Sequence, residues 1–225
     1  MIKVMWVAVV GGAGLLAGIS GGPGWAQPKE LPAQVVTLGG PAELHKKGAP
    51  GWTPAGLRTE LDEGDSVRTQ VGGRITLKTA SGQALRLGSR SQLAVLAPEV
   101  DAAPTRVRLD NGWLWIAVTP NSPPPTQIEV RAGPGVITVR GAGVGVRRAP
   151  DGATLVQVHH GTAVCAGPDR QWERTLTGPQ QLLIPASGTP GAPAALTVDK
   201  LEATWVKWNA DQDLAGGYGG TKPAP

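Results

Sequence analysis

The chain has 225 residues and a formal net charge of +4, and glycine (33) and proline (21) make up about a quarter of it. That punctuation excludes long regular helices over most of the length, and the 40% apolar content excludes a disordered polyelectrolyte. With no Phe, one Tyr and eight Trp, the core has to be aliphatic, and a single domain is large enough to bury one.

Lys3 precedes an uncharged run from Val4 to Ile19, and Gly24 and Ala26 stand at the minus-three and minus-one positions of a signal-peptidase site. Residues 1–26 therefore read as a signal peptide cleaved before Gln27, which places the mature chain in the periplasm or otherwise outside the cytoplasm. The alternative is a retained membrane anchor, but six glycines between Gly11 and Gly22 dilute the run. No membrane span is expected after cleavage. No cysteine follows the run to accept a lipid, and the only one, Cys165, lies deep in the chain. Losing Lys3 lowers 21 basic residues to 20 against 17 acidic ones, a net of +3. So weak a charge gives no reason to expect a nucleic-acid partner.

From Ala33 to Ile184 short runs alternate apolar and polar residues, as strands with one buried face do. Val107 and Leu109 alternate with Arg106 and Arg108, which should face water. Ile75 and Leu77, Leu114 and Ile116, Ile128 and Val130, and Val156 and Val158 follow the same rule, and Val139 joins the inward set. Turn residues fall at Gly64-Asp65, Gly72-Gly73, Ser81-Gly82, Asn111-Gly112, Asp151-Gly152 and His160-Gly161. Residues 98–104 and 121–125, rich in proline, should be surface connections. The expected fold is all-β: a solenoid-like two-sheet β roll, or a sandwich of short strands, over residues 27–186.

Residues 187–196 read as a linker. Beyond it Leu201, Trp205 and Trp208 recur at helical spacing and predict a short C-terminal amphipathic helix over 197–214 with those three as its buried stripe. Residues 215–225 are expected to be a disordered tail.

A search for chemistry finds little. His159 and His160 are adjacent, so on a regular strand they would point to opposite faces, and His45 is remote in sequence. Glu60, Asp62, Glu63 and Asp65 lack the ligand spacing of a calcium loop and read as a solvated turn. Cys165 shares the inward parity of Ala163 and reads as a small core residue. No catalytic, metal-binding or cofactor-binding residue is nominated, and no enzyme activity is expected. The sharpest feature is Trp113 and Trp115, which the parity of Leu114, Ile116 and Val118 puts together on the outer face. They should either receive a partner or be covered by the C-terminal helix through Trp205 and Trp208.

The run from Gly64 to Thr69, then Ile75 and Leu77, Ser81-Gly82, and Leu85 and Leu87, resembles the opening of a FecR-type domain. Residues Gly112 to Val118, Val139-Arg140-Gly141, and Val158 to Ala163 follow that family's order and spacing, so the likeness spans roughly residues 34–186. Ala142 and Val144 depart from it, where threonine and an aromatic are usual. The resemblance implies an exported, non-catalytic module that binds or senses at the cell envelope, with an envelope protein as partner. Only Met1, Ile2 and Lys3 precede the apolar run, so the cytoplasmic sigma-regulating segment of such regulators is not expected. The alternative function is an envelope polysaccharide or peptidoglycan binder that stacks a glycan on Trp113 and Trp115.

Overall fold

The computed structural model describes residues 33–97, 105–120 and 127–219. The expected signal peptide, the connections at 98–104 and 121–125, and the last six residues of the expected tail lie outside the described residues. The described residues begin with eight short strands: β1 (Ala33–Gly39), β2 (Ala42–His45), β3 (Thr53–Pro54), β4 (Glu60–Leu61), β5 (Ser66–Thr69), β6 (Arg74–Lys78), β7 (Ala84–Leu87) and β8 (Gln92–Leu96). Then come β9 (Thr105–Ala117), β10 (Gln127–Ala132), β11 (Gly135–Arg148), β12 (Thr154–Ala166), β13 (Glu173–Thr177), β14 (Gln180–Ile184) and β15 (Ala194–Ala195). One helix, α1 (Lys200–Gly216), follows.

The three long strands organise the rest, because each changes partners half-way along. The first half of β9 pairs with β8 and β10, and its second half pairs with β7 and β11. β11 goes from β10 to β9, and β12 from β14 to β13. Two packed layers result. One runs β3, β2, β5, β8, β9, β10, β11, β12, β13; the other runs β15, β14, β12, β11, β9, β7, β6, β1, β4.

Two of the expected turns are the points where this exchange happens. Asn111-Gly112 and His160-Gly161 do not end strands; they lie inside β9 and β12. Gly112 has φ 86°, and a Cβ there would come within 2.3 Å of the Ser91 hydroxyl oxygen. Gly161 has φ 76°, and a Cβ there would come within 2.2 Å of the Gly141 carbonyl. A left-handed residue in continuous pairing bends the strand instead of reversing it, which is how one strand serves two sheets. The strands are accordingly longer than expected, 13 residues in β9 and 14 in β11.

All eleven residues of the inward set fall in one contiguous aliphatic core between the layers, each at 1% exposure or less. Arg106 departs from its expected place in water: it is 6% exposed and donates to Glu129 at 3.0 Å. The segment expected to be only a linker contains β15, which pairs with β14. The helix begins and ends later than its spacing suggests. Past it Tyr218 is 7% exposed and its hydroxyl donates to the Gly82 carbonyl, so the chain stays anchored beyond residue 215.

Ile116 is fully buried among both layers. Ile116→Ala should lower unfolding free energy by about 2–5 kcal/mol, measured by denaturant titration.

Candidate functional site

The outer face of the second layer carries the residues that sequence reasoning singled out. One row of paired positions crosses it: Arg86 on β7, Trp115 on β9, Gly145 on β11, Gln157 on β12 and Gln181 on β14. Outward parity puts Arg86, Trp115 and Gln157 on the side away from the core, yet they are only 3%, 1% and 3% exposed. The helix covers them.

α1 starts where Asp199 caps it, its carboxylate accepting from the N–H groups of Leu201 and Glu202 at 2.8 Å each. It ends at Gly217 with φ 73°, whose N–H reaches back to the Asp213 and Leu214 carbonyls. Upstream, Gln181 pairs with Thr197 through both its side-chain oxygen and its nitrogen, and Gln157 donates to the Thr197 carbonyl. These bonds set where the helix enters the face.

The buried side of α1 differs from the expected stripe. Leu201 is 92% exposed, and Trp205 and Trp208 are half-buried, stacked on each other at 5.5 Å. The buried residues are Glu202, Val206, Asn209 and Asp213, spaced four, three and four apart. The reason is what the sheet offers. Arg147 and Gln157 donate to Glu202 at 3.1 Å each, and Arg86 and the Trp115 indole N–H donate to Asp213 at 2.5 and 2.9 Å. A face that presents donors takes the acidic side of a helix. A small apolar patch of Ala84, Trp115, Ala117, Val206 and Tyr218, with Trp205 against it, fills the space between these bonds.

Trp113 and Trp115 therefore do not form an open pair. Trp115 is sealed, and Trp113 is half-buried beneath the Arg147 guanidinium, 4.6 Å from its ring centre. Trp113 and Trp205 do approach each other across Gly88. Arg86, Arg147, Gln157, Glu202 and Asp213 were missed. Their signals were the lone charge between Leu85 and Leu87, and the helical spacing of the two acids.

The histidines also differ from expectation. A register shift between Gly143 and Val144 of β11 loosens the alternation of β12 opposite. His159 then lies against the Trp115 ring at 4.7 Å, and the His160 imidazole lies beside Asp213. Both are half-buried near the helix, and both Nε2 atoms are buried without a hydrogen-bond partner among the described residues. Burial, with the neighbouring His160 charge, pushes His159 down to about 4. Burial lowers His160 too, against the opposing pull of Asp213. Burial raises the Asp213 carboxyl, while Arg86, the Trp115 N–H and His160 favour its charged form.

The remaining candidates are apart from this face. His45 packs on Trp52 at 5.4 Å. Asp65 is not solvated: at 3% exposure it accepts from the Lys46 ammonium at 2.6 Å and from the N–H groups of Lys47 and Asp62 at 2.8 Å. Burial raises its carboxyl, but those bonds outweigh burial and leave it below the ordinary range. Cys165 is fully buried, and burial pushes its thiol up to about 12. Among the described residues, no three His, Cys, Asp or Glu side chains are grouped to hold a metal ion, and no helix is long and apolar enough to cross a membrane.

The strands β5 to β12, which build both layers and the row under the helix, coincide with a recognised family. Residues 65–164 match the FecR protein family. The FecR match takes in Arg86, Trp115, Arg147 and Gln157 but not α1, so the helix is clasped to the FecR region from outside it. No curated protein matches the chain. Two crystal structures of a candidate anti-sigma factor from Parabacteroides distasonis ATCC 8503 are similar in fold. The 1.65 Å structure aligns with TM-score 0.49 and 16% identity over 68% of this chain and 74% of that one. The 2.50 Å structure aligns with TM-score 0.49 and 16% identity over 63% of this chain, which spans 64% of the other's length.

Asp213→Ala leaves the Arg86 charge buried without its partner and should cost about 3–5 kcal/mol. Collisional quenching of Trp115 should rise with it, and the double variant Arg86→Met, Asp213→Leu should recover most of the stability. The His159 shift gives a pH dependence with a definite sign. The unfolded chain takes up a proton as pH falls below 6.5, which the folded chain refuses until about 4. Stability should therefore fall through that window and level off beneath it, by on the order of 3 kcal/mol. His160 acts with the same sign, and the raised Asp213 carboxyl with the opposite sign nearer the ordinary carboxylate range. His159→Phe should remove most of the slope in denaturant midpoints measured from pH 7 to 4.

Proposed function

We propose that this chain is an exported, non-catalytic FecR-type binding module that works by contacting another protein at the cell envelope. The FecR match over residues 65–164 carries the reading. The internal chemistry agrees with it. Asp213 and Arg86 are spent on holding α1 to the sheet, the two histidines are half-buried beside them, and Cys165 is sealed in the core. The Nε2 atoms of both histidines are themselves buried, so neither faces a substrate. Export rests on the apolar run after Lys3 and the small residues Gly24 and Ala26. The glycan alternative loses its platform, because Trp115 lies under the helix and Trp113 under Arg147.

Cell fractionation followed by N-terminal sequencing should find a chain that starts at Gln27 outside the cytoplasm; intact Met1 held in the membrane would overturn the cleavage. Cross-linking in intact cells should join the chain to one specific envelope protein. A chain that joins none is not a protein-binding module.

A further inference from the structure

The first half of α1 and the strand ends beside it enclose a cleft of about 560 Å³ that the clasp does not fill. Trp113 and Trp205 are its aromatic walls, and Gly88 lies between them. A Cβ on Gly88 would stand 3.1 Å from the Trp113 Cβ and 3.6 Å from the Trp205 ring, so the missing side chain is what lets the two indoles line one space. Its size is that of a site for a few side chains.

The rim is unusual in two ways. Leu201 stands on it at 92% exposure, and Val198, just ahead of the helix cap, is 39% exposed. A leucine at the lip of an aromatic cleft extends the apolar surface past the cleft itself, along the helix start. The second feature is charge. Arg74, on the opposite rim, is exposed, has no carboxylate partner among the described residues, and holds its guanidinium over the Trp208 ring at 5.2 Å. Arg147 spends one N–H on Glu202 and keeps a side chain 40% exposed. The two acids in the lining are already engaged, Asp199 by the helix N–H groups and Glu202 by Arg147 and Gln157. The cleft is therefore apolar inside and cationic at its mouth.

We infer that this cleft is the contact point for the protein partner, and that it takes an extended segment carrying one large apolar side chain flanked by carboxylates. The apolar side chain enters between Trp113 and Trp205, a carboxylate pairs with Arg74, and the backbone crosses Leu201. A small molecule would fill the cleft and leave Leu201 in water; a peptide covers both. The inference rests on the protein-binding reading above and adds the place and the chemistry.

The test uses the full chain and three series of acetylated nonapeptides with a central Leu or Phe, flanked by Asp and Glu, by Lys and Arg, or by Ser and Gly. Fluorescence anisotropy should show binding by the acidic series, with Arg74→Glu and Leu201→Asp each weakening it roughly tenfold. Both side chains are exposed, so both variants should keep the wild-type unfolding midpoint. Equal binding by the three series, or binding unaffected in both variants, overturns the inference. The cross-linked envelope protein separates this from the broader reading. A partner retained equally by both variants means that the module binds protein elsewhere, and a partner lost with both supports the cleft.

Discussion

One carboxylate ties the last element of this molecule to the rest. Asp213 sits at 1% exposure and is met by donors from two different strands, Arg86 on β7 and Trp115 on β9, with His160 of β12 beside it. The desolvation of such a pair offsets much of its attraction, so its contribution lies less in net stability than in position. A purely apolar helix face could slide on a flat sheet. A helix with Glu202 and Asp213 fixed about three turns apart on separate donors has one register. Everything at the edge of α1, including the gap between Trp113 and Trp205, inherits that register.

The body beneath is held by a different constraint. β9, β11 and β12 each belong to both layers, so the layers cannot separate without breaking all three strands. The corners at Gly112 and Gly161 have no room for a side chain. In the row Arg86, Trp115, Gly145 and Gln157, the last three lie beside those corners, in the halves of β9, β11 and β12 that belong to the second layer. Its spacing is thus fixed by the same bends that join the layers.

The sequence showed the inward set plainly, because alternation with period two is imposed directly by strand geometry and the aliphatic residues obeyed it from Val107 to Val158. It also showed that the outer indoles needed cover. What it hid was the side of the helix that supplies the cover. Apolar residues are the usual guide to a buried face, and Leu201, Trp205 and Trp208 satisfied that guide. The receiving surface, however, is rich in donors, a fact visible only once Arg86, Trp115 and Gln157 come together from strands distant in sequence. The strand lengths were hidden for a related reason. A glycine after Asn111 or His160 looks the same whether it closes a hairpin or bends a continuous strand, and only the partner strands decide.

Cys165 adds a property of its own. A thiol fully buried between two interlocked layers, with its ionisation pushed up to about 12, presents almost no thiolate to a reagent while the layers stay together. Its ladder neighbours are Ile137 on β11 and Arg174 on β13, so a reagent reaches it only when those strands part. Its labelling rate is therefore a clock for opening of the layers around it, and the closed chain offers no thiolate to pair with a second copy of itself.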